Sequence, residues 1–305
     1  MHTDTRPNDT LVGESTTPAR KSRGGLRWGR LTVVGWGALL TTYLSIIVFL
    51  PIAAVVGHGL GFAVSTHGTW VVWQWEWHAN LNTFVTAVLA PGAWRAIRLS
   101  VLLSLAVAAT NSVMGLIVAW VLVRRRFRGA FLLEAVIDIP FALPTIVAGV
   151  VFVYLYGPAS PLHVSLFGTW VGLLVALLFV TLPFSVRSVQ PVLASLNQEP
   201  EHAARTLGAS SVRQFATVIF PSIAPAVLGG FGLAFARAVG EFGSISLIGG
   251  GLPRATTAST YLFDLTQGFL WTDAAAVSTV LLALSIVVLG TCAWFSSRVQ
   301  ARLGQ

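Results

Sequence analysis

The chain has 305 residues, of which 55% are hydrophobic and only 10% charged, against about 25% charged in an ordinary soluble domain. With a mean hydropathy of +0.77 it carries more apolar surface than a water-soluble core of this size can hide, so composition makes the bilayer its solvent. The net charge of +8 raises nucleic-acid binding, which the placement of the charges argues against below, and the single cysteine, Cys292, excludes an intrachain disulfide and a cysteine-based metal cluster.

Residues 1–28 are rich in Thr, Arg, Pro and Gly and read as a disordered cytoplasmic tail, with residues 29–305 forming the membrane domain. Apolar runs follow at about 31–57, 96–123, 131–156, 166–189, 218–250 and 274–297, each reaching the roughly 20 residues a spanning helix needs. The first run is too long for a signal-peptide core and is read as a retained helix. The fifth exceeds one span, so it tilts, breaks or leaves the bilayer. Pro140, Pro144 and Pro183 mark expected kinks in the third and fourth runs. The first outer segment holds Trp70, Trp73, Trp75 and Trp77, either an interfacial aromatic belt or a docking surface.

Six crossings put alternate connections on opposite sides. Every Lys and Arg then falls on the side of the termini except Arg95, Arg98 and Arg254, with Arg237 inside the fifth run. The positive-inside rule makes that side cytoplasmic, so a multi-pass inner-membrane protein with both termini in the cytoplasm is expected. The same distribution accounts for the basic balance with lipid as the surrounding partner and no nucleic acid.

The fourth connection, 190–217, is long and polar. Leu193, Leu196, Ala203, Ala204 and Leu207 recur at near-helical spacing. Gly208 then stands where a helix stops, and Pro221 where the next one begins. The result is a compact helical knob offered to the cytoplasm, or an ordinary connecting loop.

The run Ala203-Ala204, Gly208 and Val218-Ile219-Phe220-Pro221 resembles the EAA loop of permease subunits of ABC importers. His202 stands at the usual acidic position, with Glu201 one residue earlier available to substitute, and Phe220 replaces an aliphatic residue. The stretches at 92–123, DIPFALPTIVAGVVFVYLYGP at 138–158 and ARAVGEFGSISLIGGGLP at 236–253 are similar to the sulfate/thiosulfate permease family, of the CysT type, with molybdate or tungstate permeases next. The resemblance implies an all-α fold of six transmembrane helices like an ABC type I importer permease. It implies a coupling helix at about 197–213, with Glu201, His202, Ala203, Ala204 and Gly208 meeting an ATP-binding subunit dimer. It also implies a second permease subunit, an extracytoplasmic sulfate-binding protein, and ATP–Mg bound on the partner ATPase rather than on this chain.

Arg237 and Glu241 stand four apart in the fifth run and so share a helix face. They either line the anion path or form an ion pair that locks helices together, since charge at this depth faces protein or water. Asn111 bonds either a neighbouring helix or substrate. Two ladders of small residues, Ala226/Gly230/Ala234/Ala238 and Gly232/Ala236/Gly240/Ser244, prepare the fifth run for close helix packing. Glu134 and Asp138 are expected to pair with Arg124 to Arg128 or to reach the membrane interface. The only lysine, Lys21, lies in no phosphate loop, the six histidines make no ligand pattern, and no nucleophile–base set appears. A stand-alone secondary transporter would need repeated intramembrane acids, and only Glu241 is deep. An intramembrane enzyme would need a buried catalytic pair that the apolar runs do not offer.

Overall fold

The computed structural model describes residues 25–60, 81–125 and 127–303; the tail up to residue 24 and the four tryptophans of the first outer segment lie outside them. One compact unit ends at Ile52 and a second runs from Ala53. Among the described residues every regular element is helical: α1 (Gly25–Gly59), α2 (Leu81–Leu89), α3 (Pro91–Arg124), α4 (Ala130–Ala142), α5 (Thr145–Tyr156) and α6 (Trp170–Ser195) come first. The short α7 (Glu199–Thr206) and α8 (Ser211–Gln214) follow, then α9 (Phe220–Val239), α10 (Gly243–Gly249), α11 (Ala258–Gln267) and α12 (Trp271–Leu303). Five helical stretches are long and apolar enough to cross a membrane, six if the bent pair α4–α5 counts as one.

The expected third and fifth runs are not single helices. α4 and α5 meet at an angle of 110°. Pro144 disfavours helical backbone at the residue before it, and Leu143 is extended, with ψ 129°. The fifth run breaks at Gly240–Phe242, after which α10 sets off separately. Pro221 stands in the first turn of α9, as expected, but the chain is already helical from Ser211, and a π-turn at Phe215–Ile219 leads into it. Widening one turn makes room for a ring that would otherwise strike the carbonyl four residues back. The helices α2 and α11 are too short and too mixed in composition to stand out as apolar runs.

α3 is the spine of the second unit. Ala96, Ser100, Ser104, Ala108 and Ser112 recur every fourth residue and are all buried, a small-residue stripe that lets α6 and α9 approach its backbone. Leu103 and Val107 share a core with Leu173 and Leu177 of α6, and Ala108 clusters with Ala234, Phe235 and Val239 of α9. The ladders of α9 divide between neighbours: Gly230 faces Ser185 of α6, and Gly232 faces Leu289 and Cys292 of α12.

α3 and α6 cross closely at Gly115, where an added Cβ would lie 2.7 Å from the Ser185 Cβ and 2.9 Å from its carbonyl carbon. Gly115→Val therefore forces α3 and α6 apart. We expect a loss of about 1–3 kcal/mol, read as an earlier thermal midpoint of the detergent-purified protein, with part of the loss recovered by adding Ser185→Gly.

Candidate functional site

Two regions gather the polar side chains that an apolar bundle does not need for packing. The first is the knob after α6. α7 ends in a Schellman arrangement: the Ala209 amide donates to the Ala204 carbonyl and the Gly208 amide to the Arg205 carbonyl, both at 3.0 Å. Gly208 has φ +81°, the left-handed region that a side chain would strain. Ser210 then caps α8, its Oγ accepting from the Arg213 amide. This turn leaves His202, Ala203, Arg205 and Gly208 in the open, and Leu207 is 88% exposed.

Glu201 points the other way. Its side chain is only 12% exposed and forms an ion pair with Arg124, the last residue of α3. The buried Gln214 side chain donates to the Glu201 carbonyl oxygen at 3.0 Å. Within this chain the acid beside His202 is committed inward, while His202 and Leu207 face out.

The second region is the break in the fifth run. Arg237, in the last turn of α9, pairs with Glu241, which lies beyond the helix end with its side chain 1% exposed. The carboxylate also accepts the amide and the hydroxyl of Ser244, each at 3.0 Å. It thereby satisfies one of the free N–H groups that open α10. Ser259 of α11 donates to the Glu241 carbonyl oxygen at 2.6 Å. The break is thus tied to α9, α10 and α11 at once. The Arg237 side chain remains 31% exposed.

Asn111 is buried and bonds helix to helix, its amide donating to the Leu178 carbonyl at 3.0 Å and to the Thr181 hydroxyl at 2.8 Å. Glu134 and Asp138 take their partners from α6 instead of from the basic run 124–128. Asp138 receives the Arg187 guanidinium, with the Nε bond at 3.1 Å, and Glu134 accepts from Gln190 at 3.0 Å. Both acids lie one turn apart on α4 and face α6, whereas Arg124 is already held by Glu201. Sequence alone does not give the partners of Arg124, Arg187, Gln214, Ser244 or Ser259. Each finds its role through a partner brought in by the fold; only the position of Arg124 at the end of an apolar run hints at a boundary residue.

Comparison with known proteins decides the class. The family described as "Binding-protein-dependent transport system inner membrane component" matches residues 111–302. A sulfate transport system permease protein CysT of Salmonella typhimurium is 35% identical over 269 residues, covering 86% of this chain and 91% of that protein. A probable sulfate transport system permease protein of the same name from Nephroselmis olivacea is 34% identical over 281 residues, covering 89% and 93%. The chain belongs to the CysT family of ABC permeases. A bacterial alginate ABC transporter, solved with its pentasaccharide-bound periplasmic protein, has the same fold, with a TM-score of 0.66 at 16% identity over 90% of this chain and 96% of the other. The permease is therefore a multi-pass inner-membrane transport component, all-helical, and not an enzyme by itself. The broken fifth span and the exposed knob both lie within the matched region.

Proposed function

We propose that this permease moves sulfate, or the similarly shaped and charged thiosulfate, into the cytoplasm as one membrane subunit of an ATP-driven importer. Its partners in this reading are a dimer of ATP-binding subunits, a second permease subunit and an extracytoplasmic sulfate-binding protein. ATP–Mg belongs to the ATP-binding subunits. Both termini and the knob face the cytoplasm, because the basic residues gather on that side.

The observation that supports this most is the knob itself: a turn of helix closed by left-handed Gly208, presenting an apolar side chain to water. A single exposed leucine is ordinary by itself, but here it stands on the tip whose residues match the coupling loop, where a partner would meet it. His202, Ala203, Ala204 and Gly208 form the coupling surface, with Glu201 behind it. ATP shifts the permease between outward and inward access only by binding one state of the assembly better than the other. Arg237, Glu241 and Asn111 brace the wall of the pathway rather than grip the anion, since Glu241 neutralises Arg237 and the Asn111 amide is bonded to α6.

The test is reconstitution in liposomes with the ATP-binding subunit, second permease and binding protein of the same organism. Sulfate-loaded binding protein should stimulate ATP hydrolysis severalfold, and radiolabelled sulfate should accumulate only with ATP. Uptake that follows an ion gradient without ATP sinks the reading, and stimulation by molybdate but not sulfate overturns the anion assignment.

A further inference from the structure

We infer that Arg124 and Glu201 form a strut that carries movement of the knob into α3, which makes Arg124 a positioning residue for transport. The inference rests on the permease reading above and adds the route by which the knob reaches the spans.

No residue of α7 is buried, so apolar packing does not fasten this helix to the membrane body. Its fastening is polar: the Glu201 carboxylate on the Arg124 guanidinium, and the Glu201 carbonyl oxygen on the Gln214 side chain. The paired side chains are 15% and 12% exposed, dry enough that the attraction exceeds that of a surface pair. Arg124 is itself steadied, its Cζ lying 5.5 Å over the Trp120 ring one turn back on α3.

The far end of the strut is a helix packed against both α6 and α9. α3 shares cores with α6 at Leu103 and Val107 and with α9 at Ala108. A displacement delivered to Arg124 acts along a rigid helix on both. The pairing also suits a joint more than a static rivet. The Arg124 Nε is buried without a partner, so the guanidinium holds Glu201 through Nη2 alone. A buried donor left unpaired weakens the arrangement that contains it, so the pair is held less firmly than its burial alone would give.

The experiment is a double-mutant cycle in the reconstituted complex, read as the ratio of sulfate-stimulated to unstimulated ATP hydrolysis. Arg124→Gln and Glu201→Gln should each lower that ratio about tenfold, and the double variant should be no worse than either single one, because the pair acts as a unit. All three should still co-purify with the ATP-binding subunit. Exchanging the charges, Arg124→Glu with Glu201→Arg, should restore much of the ratio, a rescue that general loosening of the knob would not allow. Single effects that multiply, an unchanged ratio, or loss of the ATP-binding subunit from Glu201→Gln alone each overturn the strut. A wild-type complex that sulfate does not stimulate overturns the permease reading instead.

Discussion

Arg237→Met is expected to destabilise the permease by about 3–5 kcal/mol, the cost of stripping the partner from a buried charge. Glu241 has almost no contact with solvent, and its side chain is 1% exposed. Two bonds from Ser244 would remain, but neither supplies a positive charge. The break also lies deep, because Val239 clusters with Ala108, midway along α3. A carboxylate left alone there is enclosed by protein without a countercharge, which strains the break open. Glu241→Gln should cost less: it removes the enclosed charge and keeps an oxygen that can accept from Ser244, while Arg237 is only partly enclosed by protein. Arg237→Met combined with Glu241→Met should be more stable than Arg237→Met alone, since paired removal leaves nothing uncompensated. Thermal midpoints of the detergent-purified assembly and its level in the membrane measure all three. If Arg237→Met keeps its midpoint yet loses sulfate uptake, the arginine serves the anion directly and the bracing role is wrong.

The membrane class, the count of apolar runs and the knob are legible in the sequence, because each depends on local composition or spacing. Gly208 is readable as a helix stop since only a left-handed cap calls for glycine at that point. The elbow at Leu143–Pro144 is half-legible: Pro140 and Pro144 announce a kink, but a bend of 110° depends on what α5 packs against. The fifth run is recognisably over-long, yet the place of its break is hidden because Arg237 and Glu241 keep helical spacing across it. The direction of Glu201 is not readable at all. A one-residue step on a helix turns a side chain by about 100°, so Glu201 beside His202 cannot mimic an acid at the neighbouring position. It turns instead toward Arg124, 77 residues back in the chain. Pairings of that range, like Asp138 with Arg187, are products of the fold and leave no periodic trace.

Leu207→Asp should abolish coupling without unfolding the bundle. The side chain is 88% exposed and touches no core, so the permease alone loses little by the change. In the proposed assembly the same side chain is an apolar contact to the ATP-binding subunit, and the few contacts that anchor an interface are each worth about 2 kcal/mol or more when removed. A carboxylate adds the cost of burying a charge at the proposed interface. We therefore expect co-purification of the ATP-binding subunit to fall by about 30-fold or more, taking ATP-dependent sulfate uptake with it, while the thermal midpoint of the isolated permease stays put. His202→Glu, which writes an acid at the position facing outward, is a useful contrast: it leaves Leu207 in place and changes only the charge beside it. If Leu207→Asp still binds the ATP-binding subunit and transports, the tip is not the docking surface, and the exposed Val212 on α8 becomes the next place to look.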